Sequence, residues 1–169
     1  LRSQCIDRDD GCDAVIIPHN SNLSGGLMFE TVDHDGKPVD LAYATERAAR
    51  EPLVEVMQHK GDSECGRSPT SEDEYCDFEK LPYSNFRGKY VHALRGPAPP
   101  KAFVREALKR GLALDASLGV NPFKLGMVAS TDTHLGAAGA VEEDQFLGHG
   151  GAGVPARDRI PPGLPDELE

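Results

Sequence analysis

The amino-acid sequence predicts an α/β fold with a parallel sheet. Three short apolar runs, residues 13–18, 53–58 and 125–130, are expected to form strands, and helical segments lie between them. The first run is β-branched and does not alternate with polar residues, which is typical of a strand covered on both faces. Right-handed crossovers in this strand–helix order would place the carboxyl ends of all three strands at one edge of the sheet.

Helix signals delimit both intervening segments. Residues 41–50 are predicted to be helical because Asp40 is a suitable N-cap and Pro52 stops the helix. A second helix, of about 15 residues, is predicted after Pro97–Pro100 and ends at Gly119. Its apolar positions follow helical spacing: Phe103, Val104, Ala107, Leu108, Leu112 and Leu114.

The other segments are predicted to be loops of a single domain over residues 1–169. Residues 20–29 are rich in Gly, Ser and Asn, and Asp33–Gly36 has the composition of a turn. The irregular stretch 59–96 is long enough to be a functional lid or a disordered segment. Residues 135–169 are rich in Gly and Pro and are expected to form a loosely ordered tail.

Composition excludes some classes of partner. The chain has a net charge of −10, with 38% hydrophobic and 27% charged residues. This charge argues against nonspecific binding to nucleic acid or to an anionic membrane, and no apolar run approaches the roughly 20 residues of a membrane span. The sequence starts at Leu1 without a signal-peptide pattern, and Met28 is its first methionine. Localisation therefore stays open between periplasm and cytoplasm.

The four cysteines leave two interpretations open. No C-x-x-C pattern occurs, so neither a zinc ribbon nor a thioredoxin-type site is predicted. In an exported protein, Cys5 with Cys12 and Cys65 with Cys76 would each close a short loop by a disulfide. Unreactive free thiols are the alternative.

Candidate metal ligands follow two of the predicted strands. Asp132 and His134 come after the third strand, and residues i and i+2 of an extended chain point to the same side. His19 directly follows the first strand. A carboxylate and imidazoles converging at one sheet edge suit a divalent ion such as zinc. The alternative is a polar strand end, with Asp132 capping a turn and His19 in a structural role.

Polar residues near these positions are candidate substrate contacts. Asn20 and Asn22 follow His19, although Asn also favours turns. Lys60, Asp62 and Glu64 follow the second strand, where a solvated loop is the alternative. Glu55 and Gln58 are predicted to face either the site or a polar core layer. The remaining histidines are predicted to lie on the surface: His34, His59, His92 and His149.

Several segments together resemble a known bacterial family. They are residues 17–24 (IPHNSNLS), 60–65 (KGDSEC), 73–79 (DEYCDFE), 104–112 (VREALKRGL) with 119–124, and 130–136 (STDTHLG). In this order they are similar to the domain of unknown function 3604 family, which is related to the PHP (polymerase and histidinol phosphatase) superfamily of metal-dependent hydrolases. The resemblance covers most of residues 10–150.

The resemblance implies a fold, a cofactor and an activity. It implies part of a TIM-like (β/α)7 barrel, with zinc, manganese or iron at the carboxyl ends of the strands. His19, Asp132 and His134 would be metal ligands, and a metal-activated water would attack a phosphoester, ester or amide of a small-molecule substrate. Glu55–Gln58 is similar to a Glu-x-x-Asn motif of the superfamily. No catalytic residue is assigned.

One departure from the superfamily pattern is informative. Its opening His-x-His motif does not occur in this chain. The chain is therefore expected to be the C-terminal part of a longer barrel, to bind metal weakly and to be inactive in isolation. Its open strand edge is expected to promote self-association. Two alternatives remain: a noncatalytic α/β module that binds a small ligand or a partner, and a disulfide-held domain of an exported protein.

Overall fold

The computed structural model describes Cys5, residues 11–58, 61–66, Asp73, Cys76 and residues 98–130. The described part is a mixed α/β structure. Its helices are α1 (Leu41–Arg50) and α2 (Val104–Leu118), and its strands are β1 (Leu53–Gln58), β2 (Gly61–Asp62) and β3 (Gly126–Ala129). The predicted tail, residues 135–169, and most of the stretch 59–96 lie outside the described residues.

The sheet contains the predicted parallel strand pair. Its order is β2–β1–β3, with β1 parallel to β3 and antiparallel to the two-residue β2. Leu53 pairs with Gly126 and Val54 with Met127, so the two parallel strands start in register. The strand predicted at 53–58 is confirmed, and the strand predicted at 125–130 is one residue shorter at each end. A closed barrel stays a prediction.

An irregularity in β1 changes which neighbour each backbone group faces. The register between β1 and β3 shifts between Glu55 and Met57. The Val56 carbonyl then accepts a hydrogen bond from the Ser63 N–H (2.9 Å), whereas the Met57 carbonyl accepts one from the Ser130 N–H (3.2 Å). β1 thus anchors the start of two different loops at its carboxyl end.

The strand predicted at residues 13–18 is wrong. This segment has no strand geometry, and Val15 is 63% exposed. It nevertheless runs beside β1 in the same direction, because the Ile16 N–H donates to the Arg50 carbonyl (2.7 Å) and the Pro18 carbonyl accepts from the Glu55 N–H (3.0 Å). β-branched composition favours an extended chain, but regular pairing and burial depend on neighbouring elements.

Both helices have the predicted ends. The Asp40 side chain accepts a hydrogen bond from the Tyr43 N–H (2.8 Å) and caps α1. α2 ends at Gly119, whose φ of 77° is in the left-handed region that glycine adopts readily. The predicted apolar face of α2 is wrong at one position, since Leu112 is 66% exposed. The predicted turn at Asp33–Gly36 is confirmed by a hydrogen bond between its ends (3.0 Å).

The core lies between the sheet and α2. Its buried members are Phe29, Val54, Val104, Ala107, Phe123 and Leu125. The rings of Phe29 and Phe123 pack edge to face, with centroids 5.8 Å apart. The guanidinium of Arg47 lies 4.7 Å from the Phe123 ring centre, so α1 is attached to this core through a buried cation.

Strand β3 is exposed along its whole length. Met127 and Val128 of β3 are 54% and 40% exposed. Exposed apolar strand residues are the kind of surface on which self-association would depend, and that association stays a prediction. Among the described residues, no helix has the length and apolar character needed to cross a membrane.

The cysteines form two disulfides, Cys5–Cys12 and Cys65–Cys76. No cysteine is free. Thiol titration of the denatured, unreduced protein should therefore detect no free thiol, and titration after reduction should detect four. Because each bond restricts the unfolded chain, reduction should lower the free energy of unfolding by roughly 2–5 kcal/mol. Four reactive thiols before reduction would contradict the pairing.

Candidate functional site

Five polar residues lie near the place where the 16–18 segment passes β1 and form two hydrogen-bonded groups, together called here the polar cluster: His19 with Asn20 and Glu55, and Asn22 with Ser63. Three of them are buried, namely Asn22 (6% exposed), Glu55 (8%) and Ser63 (2%). Buried polar groups are costly unless they are hydrogen-bonded, so a concentration of them beside β1 marks a candidate site.

The central contact is between His19 and Glu55. The His19 Nδ1 lies within hydrogen-bond distance of the Glu55 carboxylate, and the two residues are 36 positions apart in the chain. The hydrogen bond between the Pro18 carbonyl and the Glu55 N–H (3.0 Å) fixes this register. The side chain of Glu55 is 11% exposed, whereas that of His19 is 54% exposed. The buried carboxylate therefore supports an imidazole that reaches solvent.

Asn20 contacts the other side of the same imidazole. Its Nδ2 lies 2.9 Å from the His19 Nε2. Its φ of 54° is in the left-handed region, and among the described residues it is the one non-glycine with a positive φ. Asn adopts this region more readily than most residues, which agrees with the turn-forming alternative considered for this position.

Asn22 and Ser63 connect the cluster to the loop after β2. The Ser63 hydroxyl donates to the Asn22 Oδ1 (2.8 Å). Asn22 belongs to a short 3-10 helix, Ser21–Leu23, which also buries the side chain of Ser21. The Ser21 Oγ is buried without a hydrogen-bond partner among the described residues. With its amide oxygen bonded to Ser63, Asn22 organises the loop; a substrate contact from it stays a prediction.

The predicted ligands Asp132 and His134 lie outside the described residues, but the chain that leads to them does not. β3 ends at Ala129, which pairs with Met57 of β1. Ser130 follows and donates to the Met57 carbonyl (3.2 Å). The structure thus brings Ser130 to the strand that His19 contacts through Glu55. The positions of Asp132 and His134 themselves are not described.

The predicted loop residues have different outcomes. Lys60 lies outside the described residues, and the structure does not describe the side chain of Asp62. Glu64 forms a salt bridge with Arg105, its Oε1 lying 2.9 Å from Nε and 2.6 Å from Nη2. The Arg105 Nη1 also lies 2.5 Å from the Asp73 carboxylate. The hydrogen bond to Asp73 has the largest effect and that to Glu64 the next, and both raise the pKa of Arg105 above its ordinary value. Sequence reasoning did not assign Arg105 a role.

Two other groups of metal-ligand residue types can be set aside. Cys65, Asp73 and Cys76 lie close together, but both sulfurs are in the Cys65–Cys76 disulfide and are not thiolates. Asp33, His34 and Asp35 are all exposed and belong to the turn. The surface position predicted for His34 is confirmed. His59, His92 and His149 lie outside the described residues.

The described residues define an α/β protein in which a parallel strand pair carries a histidine–carboxylate contact. A family model described as "Protein of unknown function (DUF3604)" matches residues 3–162, and the chain therefore belongs to that family. Comparison with curated proteins gives no match, and comparison with solved structures gives none either.

Proposed function

We propose that this chain contributes to the metal site of a metal-dependent hydrolase of PHP type, built on a (β/α)7 barrel. His19, Asp132 and His134 would hold a zinc, manganese or iron ion. The observation that carries the proposal is the convergence on β1: His19 contacts Glu55, and Ser130, two residues before Asp132, is hydrogen-bonded to Met57. Carboxyl ends of parallel strands are where α/β folds place their sites.

The residues present fit a divalent ion chemically. Imidazole nitrogen and carboxylate oxygen are preferred ligand types for zinc and related ions. The exposed His19 ring offers one such nitrogen at the surface of the cluster. A divalent ion bound there would lower the pKa of a coordinated water to about 7 and polarise the substrate oxygen.

The chain's own residues would then orient the substrate. Asn20 presents an amide beside the His19 ring, 2.9 Å from its Nε2, and is placed to donate to a phosphoryl or carbonyl oxygen. Lys60 and Asp62, which come before Ser63 in the chain, are proposed substrate contacts. Glu64 would act through its salt bridge with Arg105, which secures the loop after β2 to α2.

Metal content tests the proposal. In equilibrium dialysis against each ion in turn, the untagged protein should bind zinc, manganese or iron weakly, and His19→Ala and His134→Ala should each bind much less. His34→Ala is the matched control, because His34 is 89% exposed and lies in the turn outside the polar cluster. Equal metal in all four proteins would argue against the site. Absence of metal from all of them would favour a noncatalytic binding module.

A further inference from the structure

We propose that Glu55 is a positioning residue that fixes the tautomer and orientation of His19, so that the Nε2 lone pair faces the metal. The inference rests on the proposed function, but nothing in the ligand prediction assigns this role to Glu55. It follows from the two contacts that the ring makes, one at each nitrogen.

The contact with Glu55 determines which ring nitrogen of His19 carries the hydrogen. In the proposed pairing the His19 Nδ1–H donates and the Glu55 carboxylate accepts, because a carboxylate without its proton has no hydrogen to donate. In a neutral imidazole, the Nε2 is then an unprotonated acceptor. Metal-binding histidines use this arrangement widely, with the second nitrogen bonded to a carboxylate that holds the ring.

The second contact agrees with this assignment. The Asn20 amide nitrogen, a donor, lies 2.9 Å from the His19 Nε2, as expected if Nε2 carries a lone pair. The backbone of Asn20 is left-handed (φ 54°) at the point where its side chain contacts the preceding ring. The Asn20 amide therefore contacts the same ring nitrogen that the proposed metal would use.

Burial makes Glu55 suited to this task. Its side chain is 11% exposed, and its backbone N–H is bonded to the Pro18 carbonyl (3.0 Å), one residue before His19. The Glu55 carboxylate and the His19 ring therefore both lie next to the backbone hydrogen bond that joins the 16–18 segment to β1. Glu55 also adjoins the β1 irregularity, and such irregularities often re-aim a side chain near a site.

The tautomer can be measured without metal. In the full chain labelled with 15N-histidine, long-range 1H–15N correlation should show His19 as the Nδ1–H form, its signal being identified by its loss in His19→Ala. In Glu55→Ala the tautomer of His19 should shift toward the mixture of Nδ1–H and Nε2–H forms that free histidine has. Glu55→Leu retains much of the side-chain volume but has no hydrogen-bond acceptor, and it keeps the test valid if Glu55→Ala fails to fold. An unchanged tautomer in both variants, or an Nε2–H form in the wild type, would overturn the proposal.

Metal affinity provides the second readout. Zinc titration against a chelating dye should show affinity falling about 10–100-fold in Glu55→Gln, the usual effect of losing such a partner. Glu30→Gln is the control for the loss of one negative charge, because Glu30 pairs with Lys101 and not with His19. Asn20→Gly, which tolerates a positive φ, should bind zinc at least as well as the wild type.

The two readouts separate the two proposals. A tautomer shift with unchanged zinc affinity would overturn the claim that Glu55 serves metal binding. A tautomer shift in a protein that binds no zinc in any form would support Glu55 as the residue that positions His19 and overturn the metal-dependent function.

Discussion

Replacing Phe123 by alanine should lower the free energy of unfolding by about 3–5 kcal/mol. The ring is 1% exposed and packs edge to face on Phe29, so its removal leaves a cavity in the core. It also removes the surface over which the Arg47 guanidinium lies, 4.7 Å from the ring centre. The loss therefore combines apolar transfer, cavity formation and a cation–π contact.

Urea unfolding monitored by circular dichroism would measure this loss. Phe123→Leu retains much of the volume and should cost less, about 1–2 kcal/mol. Leu112→Ala is the matched surface control, because Leu112 is 66% exposed on α2, and it should change stability by less than about 0.5 kcal/mol. A cost for Phe123→Ala no larger than that of Leu112→Ala would contradict the described core.

Arg47→Met should cost about 3 kcal/mol, although it retains the apolar stem of the side chain. The Arg47 side chain is 7% exposed, and its Nη2 and Nε each lie 2.8 Å from the Glu51 carboxylate. Its Nη2 also donates to the Met28 carbonyl (2.5 Å). Removal of the cation leaves a largely buried carboxylate and a carbonyl without their donor, and that desolvation dominates the cost.

A comparison with a more exposed ion pair isolates this effect. Arg110 forms an i, i+4 pair with Glu106 on α2, and its side chain is 29% exposed. Arg110→Met should therefore cost about 1 kcal/mol or less. Arg47→Met combined with Phe123→Leu should cost less than the sum of the single changes, because the two residues share a contact. Strict additivity, or equal costs for the two arginine variants, would refute the role given to Arg47.

Local signals predicted the elements that the structure confirms. The Asp40 cap and Pro52 delimit α1, and Gly119 ends α2 because its backbone needs the left-handed region. These determinants act within a few residues and can be found in one sequence. The run at 13–18 is different, since its propensity is extended but its exposure depends on what packs beside it.

The candidate site required tertiary information that the sequence does not contain. His19 was predicted to matter from its place after an apolar run, but its contact with Glu55 joins residues 36 positions apart. That contact depends on the register between the 16–18 segment and β1, which no local pattern specifies. Arg105 and Asp73 are likewise brought together over 32 positions. Spacing alone therefore identified candidate residues without their partners.

The irregularity in β1 also constrains how the chain can change in length during evolution. Val56 and Met57 direct successive carbonyls to Ser63 and to Ser130, on opposite edges of the strand. Deletion of one residue from this stretch would exchange the two edges, and both loops would lose their anchors at once. Insertions and deletions should therefore be tolerated in the connecting segments but selected against within β1. The length of this strand determines where the loops on either side are anchored.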